Sequence, residues 1–160
     1  MRRISEESLA NVALHYLQRY SASRKRLQDV LTRRVKNHIR LKGGEPVDAA
    51  PMIEKIVERM VKAGYVDDAR LAESKTASLH RAGKSARVIK LKLRQHGLDS
   101  SKVPSDTEHE LEAAMTLGKK KRLGRDPERK QKDLAVLMRG GFSYGIAKTV
   151  LAQLSSTRTS

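Results

Sequence analysis

The sequence contains no cysteine and no tryptophan, and only one phenylalanine and four tyrosines. Without cysteine there is no disulfide, thiolate metal site or thiol nucleophile. The absence fits a reducing compartment. With so few aromatics, the core has to be built from Leu, Val, Ile, Ala and Met. Long apolar runs are missing too. No stretch approaches the roughly 20 apolar residues of a membrane span. The opening Met1-Arg2-Arg3-Ile4-Ser5-Glu6-Glu7 lacks the apolar core of a signal peptide. The expectation is a soluble cytoplasmic protein with no membrane partner. Acidic residues are scarce relative to basic ones, 18 against 34.

What is present is positive charge. The net charge is +16 on 160 residues. Residues 1–42 hold +8, and residues 43–104 and 105–160 hold +4 each. A surface of this kind attracts a polyanion, and it disfavours self-association, so a monomer is expected.

Apolar spacing points to helices throughout. Leu9, Val12, Ala13, Tyr16, Leu17 and Tyr20 share one helical face, which predicts that both tyrosines are core residues. Ser23 is a natural N-cap for a helix with Leu27, Leu31 and Val35 inward. Leu41 to Pro51 reads as a loop, and Ile53, Ile56, Val57, Met60 and Val61 as the next helix, ending at Gly64. Asp67 or Asp68 caps a helix running toward Gly83; Ser85 caps another, ending at Gly97. Ser105-Asp106-Thr107-Glu108 has the spacing of a capping box. Helices through Leu111–Met115, Leu134–Met138 and Ile146–Leu154 complete a count of about eight, with no convincing strand.

Three helix ends share one pattern, with Met60, Leu93 and Leu137 each four residues before a glycine and Tyr65, Leu98 and Phe142 each just after it. This is the requirement of a Schellman cap: a left-handed residue at C′ and an apolar contact between C″ and C3. Ser23 leads to Leu27 and Leu31 as Ser85 leads to Ile89 and Leu93. These features suggest a degenerate repeat of roughly 50 residues. The expected architecture is all-α: tandem short three-helix units at 1–42, 43–104 and 105–154 in an elongated, curved array, followed by a disordered tail at 155–160.

Gly64-Tyr65-Val66-Asp67-Asp68-Ala69-Arg70-Leu71-Ala72 resembles a stretch of the RecX family, regulators of the RecA recombinase. Arg81-Ala82-Gly83-Lys84, Leu93-Arg94-Gln95-His96-Gly97 and Arg139-Gly140-Gly141-Phe142 resemble further family segments in the same order. The resemblance spans nearly the whole chain. It implies three tandem three-helix units that bind the RecA–DNA filament in its helical groove, with single-stranded DNA in or beside the filament. It further implies inhibition of the recombinase, and so modulation of homologous recombination and DNA repair.

The residues themselves suggest no catalysis. Adjacent Asp67 and Asp68 do not face each other on a helix and suit capping better. His15, His38, His80, His96 and His109 show no metal-ligand spacing. No nucleophile–base pair or phosphate loop is visible, so neither enzyme activity, metal nor cofactor is expected. The candidate binding residues are cationic. Arg24 opens the second helix, and Arg33, Lys36 and Arg40 make a stripe along it. Arg70 lies in the Asp-Asp segment, and Arg81 and Lys84 flank Gly83. Arg87, Lys90 and Arg94 form a second stripe, and Lys119, Lys120, Lys121 and Arg122 a continuous run. With the tyrosines assigned to core and caps, base stacking is not expected, which leaves contact with phosphates or with an acidic protein. The competing reading is an independent nucleic-acid binder that contacts phosphates without reading sequence.

Overall fold

The computed structural model describes residues 4–43 and 48–158. Among these residues there are eight α-helices and no strand: α1 (Glu6–Arg19), α2 (Arg24–Lys42), α3 (Ala50–Lys62), α4 (Asp68–Arg81), α5 (Ala86–Gln95), α6 (Thr107–Lys120), α7 (Lys130–Arg139) and α8 (Tyr144–Ser156). A single 3-10 turn, Pro127–Arg129, leads into α7. The all-α expectation holds.

The chain forms two compact units. The first comprises residues 1–71 with 96–98, the second residues 72–95 with 99–160. In the first unit α1, α2 and α3 enclose Leu9, Leu27, Leu31, Ile53, Ile56, Val57 and Met60. In the second, α6, α7 and α8 enclose Ala113, Ala114, Leu134, Leu137, Phe142, Ala147, Val150 and Leu151. Asp133 is buried there and accepts the Gly124 backbone N–H at 2.9 Å, so its desolvation is matched by a fixed donor.

Helix starts follow the polar caps. Ser23 Oγ accepts from the Arg26 N–H at 3.1 Å, and Ser85 Oγ from the Val88 N–H at 3.3 Å. The two aspartates of the Asp-Asp pair cap different helices. Asp67 Oδ1 accepts from Arg70 N–H at the start of α4, whereas Asp68 Oδ1 accepts from Arg24 N–H at the start of α2. The N-cap expected at Ser105 falls one residue later, and the capping box with Glu108 does not form. Asp106 is the N-cap, accepting from the His109 N–H at 3.1 Å and lying 2.6 Å from His109 Nδ1. Those contacts hold the Asp106 carboxyl below its usual range, the backbone hydrogen bond from His109 first among them. The loop expected up to Pro51 is shorter, because α3 already begins at Ala50. Proline fits the first turn of a helix, where its missing N–H leaves nothing unsatisfied. Pro46 lies outside the described residues. At the other end, α8 continues to Ser156, into the segment expected as a tail, and the Thr157 N–H bonds to Gln153 O at 3.1 Å.

Of the three glycine caps expected, those at Gly64 and Gly141 form with both bonds, and Gly97 shows the left-handed backbone (φ +69°). At Gly64 (φ +81°) the Tyr65 N–H reaches Met60 O at 2.9 Å and the Gly64 N–H reaches Val61 O at 3.0 Å. Gly141 makes the same pair of bonds, and Gly83 makes it at the end of α4, an instance not expected from the sequence. The C′ position of α6 is taken by Arg122 at φ +56°, with the Leu123 N–H bonded to Gly118 O at 2.9 Å. A side chain there carries the steric cost that glycine avoids.

The glycine ends are not equivalent within the repeat. Gly64 follows α3, Gly97 follows α5 and Gly141 follows α7. The equivalent positions are the capping serines Ser23, Ser85 and Ser143, which open α2, α5 and α8. They recur at steps of about 60 residues, longer than the repeat suggested by the glycines. Ser23 and Ser85 are both fully buried and share a second task. Ser23 Oγ donates to the His96 carbonyl at 2.6 Å, and Ser85 Oγ donates to the Gly140 carbonyl at 2.9 Å. Each serine thus caps one helix and holds the carbonyl just before the left-handed glycine that ends another.

Candidate partner-binding surfaces

Hydrophobic periodicity decides where the charges go. In α2, Leu27, Leu31 and Val35 are buried, which turns Arg33, Lys36 and Arg40 to the opposite, exposed face. In α5, burial of Ile89 and Leu93 does the same for Arg87, Lys90 and Arg94; Arg87 and Arg94 are exposed and Lys90 is half-buried. Leu91 stands in this second stripe with half its surface in solvent. Among the described residues, none of these six cations makes an ion pair within the chain.

The other candidates divide. Arg24 is half-buried and paired with Glu58, so its charge is partly committed within the first unit. Arg70 is exposed in the first turn of α4. Arg81 and Lys84 are exposed on either side of Gly83, which is itself buried. A Cβ at Gly83 would lie 2.9 Å from Leu117 N and 3.2 Å from Ala113 O. The basic turn is therefore seated directly on the α6 backbone, and only glycine permits that approach. Lys119, Lys120, Lys121 and Arg122 are exposed at the C-terminal end of α6, where cations also suit the helix dipole. Within the first unit the structure gathers Arg33, Lys36 and Arg40. Within the second, Arg87, Lys90 and Arg94 share one helix face.

The tyrosines correct the sequence reading. Tyr20 is 57% exposed and is not a core residue, whereas Tyr16 is half-buried and packs against the edge of the first unit's core. Tyr65 makes its cap hydrogen bond, but the residue is 54% exposed, and Tyr144 is likewise in solvent. Helical spacing put Tyr16 and Tyr20 on the correct side of α1. It did not reveal that α1 ends at Arg19, leaving Tyr20 in extended backbone at the helix terminus. The rings of Tyr16 and Tyr20 stand 5.2 Å apart, tilted by 40°. Arg26 Nε donates to Tyr16 Oη at 3.3 Å, and that bond raises the Arg26 guanidinium above its ordinary range. The signal available in the sequence was the four-residue step between the two tyrosines with Arg19 between them.

His80 and His109 also meet, with ring centroids 5.6 Å apart, and His80 Nε2 lies 3.2 Å from the His109 carbonyl. Among the described residues no three His, Asp or Glu side chains form a group able to hold a metal. Nor is any described helix long and apolar enough to cross a membrane.

Repeated helical units with buried serine joints and cationic outer faces define an all-α protein built on tandem three-helix repeats. A family model described as the second three-helix domain of RecX matches residues 67–103. The chain is 41% identical to the regulatory protein RecX of Myxococcus xanthus, over 94% of this chain and 87% of that one. It is 29% identical to the regulatory protein RecX of Agrobacterium fabrum, over 89% and 80% of the two chains. The crystal structure of RecX from Lactobacillus salivarius superposes with a TM-score of 0.68 at 25% identity, covering 93% of this chain and 96% of that one. The chain belongs to the RecX family of regulatory proteins.

Proposed function

We propose that the protein regulates a RecA-type recombinase by binding its DNA filament through the cationic faces of α2 and α5, and that binding inhibits the recombinase. Modulation of recombination and repair follows from that inhibition, and the site of action is the cytoplasm, where chromosomal filaments assemble. The protein acts as a monomer, kept apart from its own copies by a charge of +16. No catalytic step is part of this reading. Phosphate contact by itself needs cations alone; the observation that carries the filament reading is the mixed character of the α5 face. Exposed Leu91 stands among Arg87, Lys90 and Arg94, which suits a partner that offers both anionic groups and a protein surface.

The test is co-sedimentation with a recombinase filament on single-stranded DNA, held assembled by a slowly hydrolysed ATP analogue, against naked DNA over a salt series. The expected result is preferential, salt-tolerant binding to the filament. That preference should be lost in the Arg87→Glu, Lys90→Glu, Arg94→Glu triple variant and reduced in Leu91→Ala. Equal binding to both targets, collapsing together as salt rises, would instead favour an independent nucleic-acid binder, since pure phosphate contact falls steeply with salt. The overall charge of +16 is what supports that second reading.

A further inference from the structure

The first unit carries a feature that phosphate contact alone does not require. A cleft of about 460 Å³ opens along α1 and α2, lined among others by Val12, His15, Tyr16, Arg19, Tyr20 and Arg34. One wall is the Tyr16–Tyr20 pair, with ring centroids 5.2 Å apart. Tyr16 is held through its hydroxyl by Arg26, while Tyr20 leaves 57% of its surface in water. Arg19 and Arg34 bring two exposed guanidinium groups, and no carboxylate lines the cleft.

An aromatic wall edged by guanidinium groups, in a cleft without acids, matches a ligand that is planar and apolar on its faces and anionic at its edge. An unpaired nucleobase with its adjoining phosphate has this character. Every base has a π-face, so stacking on tyrosine is tolerant of sequence, and the phosphate pairs with arginine. A duplex offers the phosphate but keeps its bases stacked inside. We propose that the cleft between α1 and α2 is a docking site for an unpaired base of single-stranded nucleic acid, stacked on Tyr20 and Tyr16, with its phosphate held by Arg19 and Arg34. This goes beyond filament binding, because it assigns a separate site on the first unit that needs no recombinase.

The absence of tryptophan supplies a direct readout, since fluorescence excited in the tyrosine band, beyond that of the single phenylalanine, comes from the four tyrosines alone. The full-length protein is titrated with oligo(dT), oligo(U) and a DNA duplex of equal length, at a salt concentration that suppresses most phosphate-only binding. Quenching of tyrosine fluorescence and the anisotropy of a labelled oligonucleotide are followed together. Both single strands should quench, and the duplex should quench far less. Preference for one strand would distinguish DNA from RNA as the source of the base. Tyr20→Ala should weaken single-strand binding by about tenfold, as expected for loss of one stacked base. Duplex binding should not change, and Tyr20→Phe should retain the affinity. Because Tyr20 is exposed, the variant is expected to keep its helical circular dichroism, and Tyr65→Ala and Tyr144→Ala serve as controls for the other exposed rings. Unchanged single-strand affinity in Tyr20→Ala, or quenching that survives in the Tyr16→Ala, Tyr20→Ala double variant, would overturn the assignment. Co-sedimentation of the charge-reversed α5 variant reads the filament proposal separately, so either idea can fail without the other.

Discussion

The two units build their helical cores from different mixtures of large and small side chains. The first fills the space between α1, α2 and α3 with large side chains, Leu9, Leu27, Leu31, Ile53, Ile56 and Met60 among them. The second combines Leu134, Leu137, Phe142 and Leu151 with small residues where α6 meets α8, Ala113, Ala114 and Gly118 of α6 and Ala147 of α8 among them. A Cβ on Gly118 would stand 2.5 Å from Leu154 Cδ1, so the Leu154 side chain would have to swing aside to admit one. Interhelical distance follows the size of the residues at the contact. The first unit should therefore suffer most from truncation and the second from enlargement.

The largest expected effect is in the first unit. Leu31→Ala removes a side chain with no solvent exposure and should destabilise the unit by about 2–5 kcal/mol. The check is chemical denaturation, with hydrogen–deuterium exchange to show that the loss is greater in α1–α3 than in α6–α8. Equal loosening of both would mean that the two cores are one cooperative system.

Next comes the converse change in the second unit. Gly83→Ala adds a methyl group 2.9 Å from the Leu117 backbone nitrogen, at a residue with φ of +79°. The strained backbone and the overlap together should cost about 2–4 kcal/mol. Exchange protection should fall first around the α4–α5 turn and α6. A neutral result would show that this turn can lift off α6 without consequence.

The serine joints are where the units are alike, so Ser23→Ala and Ser85→Ala should each cost about 1–2 kcal/mol. Each substitution removes an N-cap and leaves a carbonyl, His96 O or Gly140 O, without its hydroxyl donor. Matching losses in thermal denaturation would support a common joint; a large difference would separate them. The smallest effect has the opposite sign. Arg122→Gly relieves a left-handed arginine at the end of α6 and should stabilise the second unit by roughly 0.5–1 kcal/mol. A lower denaturation midpoint would show that the Arg122 side chain contributes more than its backbone costs.

Much of this was legible in the residues. Apolar spacing determined the helices and their buried faces, because a helix commits residues three and four apart to one side whatever it meets. Ser23, Ser85, Gly64 and Gly141 marked helix ends because their chemistry acts over four or five residues. The cationic stripes of α2 and α5 followed from the same geometry, as the faces left over once the leucines turn inward. Family resemblance was legible in the Gly64–Ala72 segment and its neighbours.

What the tertiary structure alone decided is long-range. Nothing near Ser23 in sequence names His96, and nothing near Ser85 names Gly140. Asp68 could be read as a cap for its own helix, and only the fold shows it capping α2. Gly83 is required by the α6 backbone, more than thirty residues onward in the chain. The exposure of Tyr20 was equally hidden, because amphipathic spacing tells which way a side chain points, not whether another element arrives to cover it. By itself the sequence determined the helices, their caps and the sign of the surface, all set by interactions within a few turns. The fold decided which caps become joints and which aromatic rings stay in water, because those depend on atoms that only folding brings together.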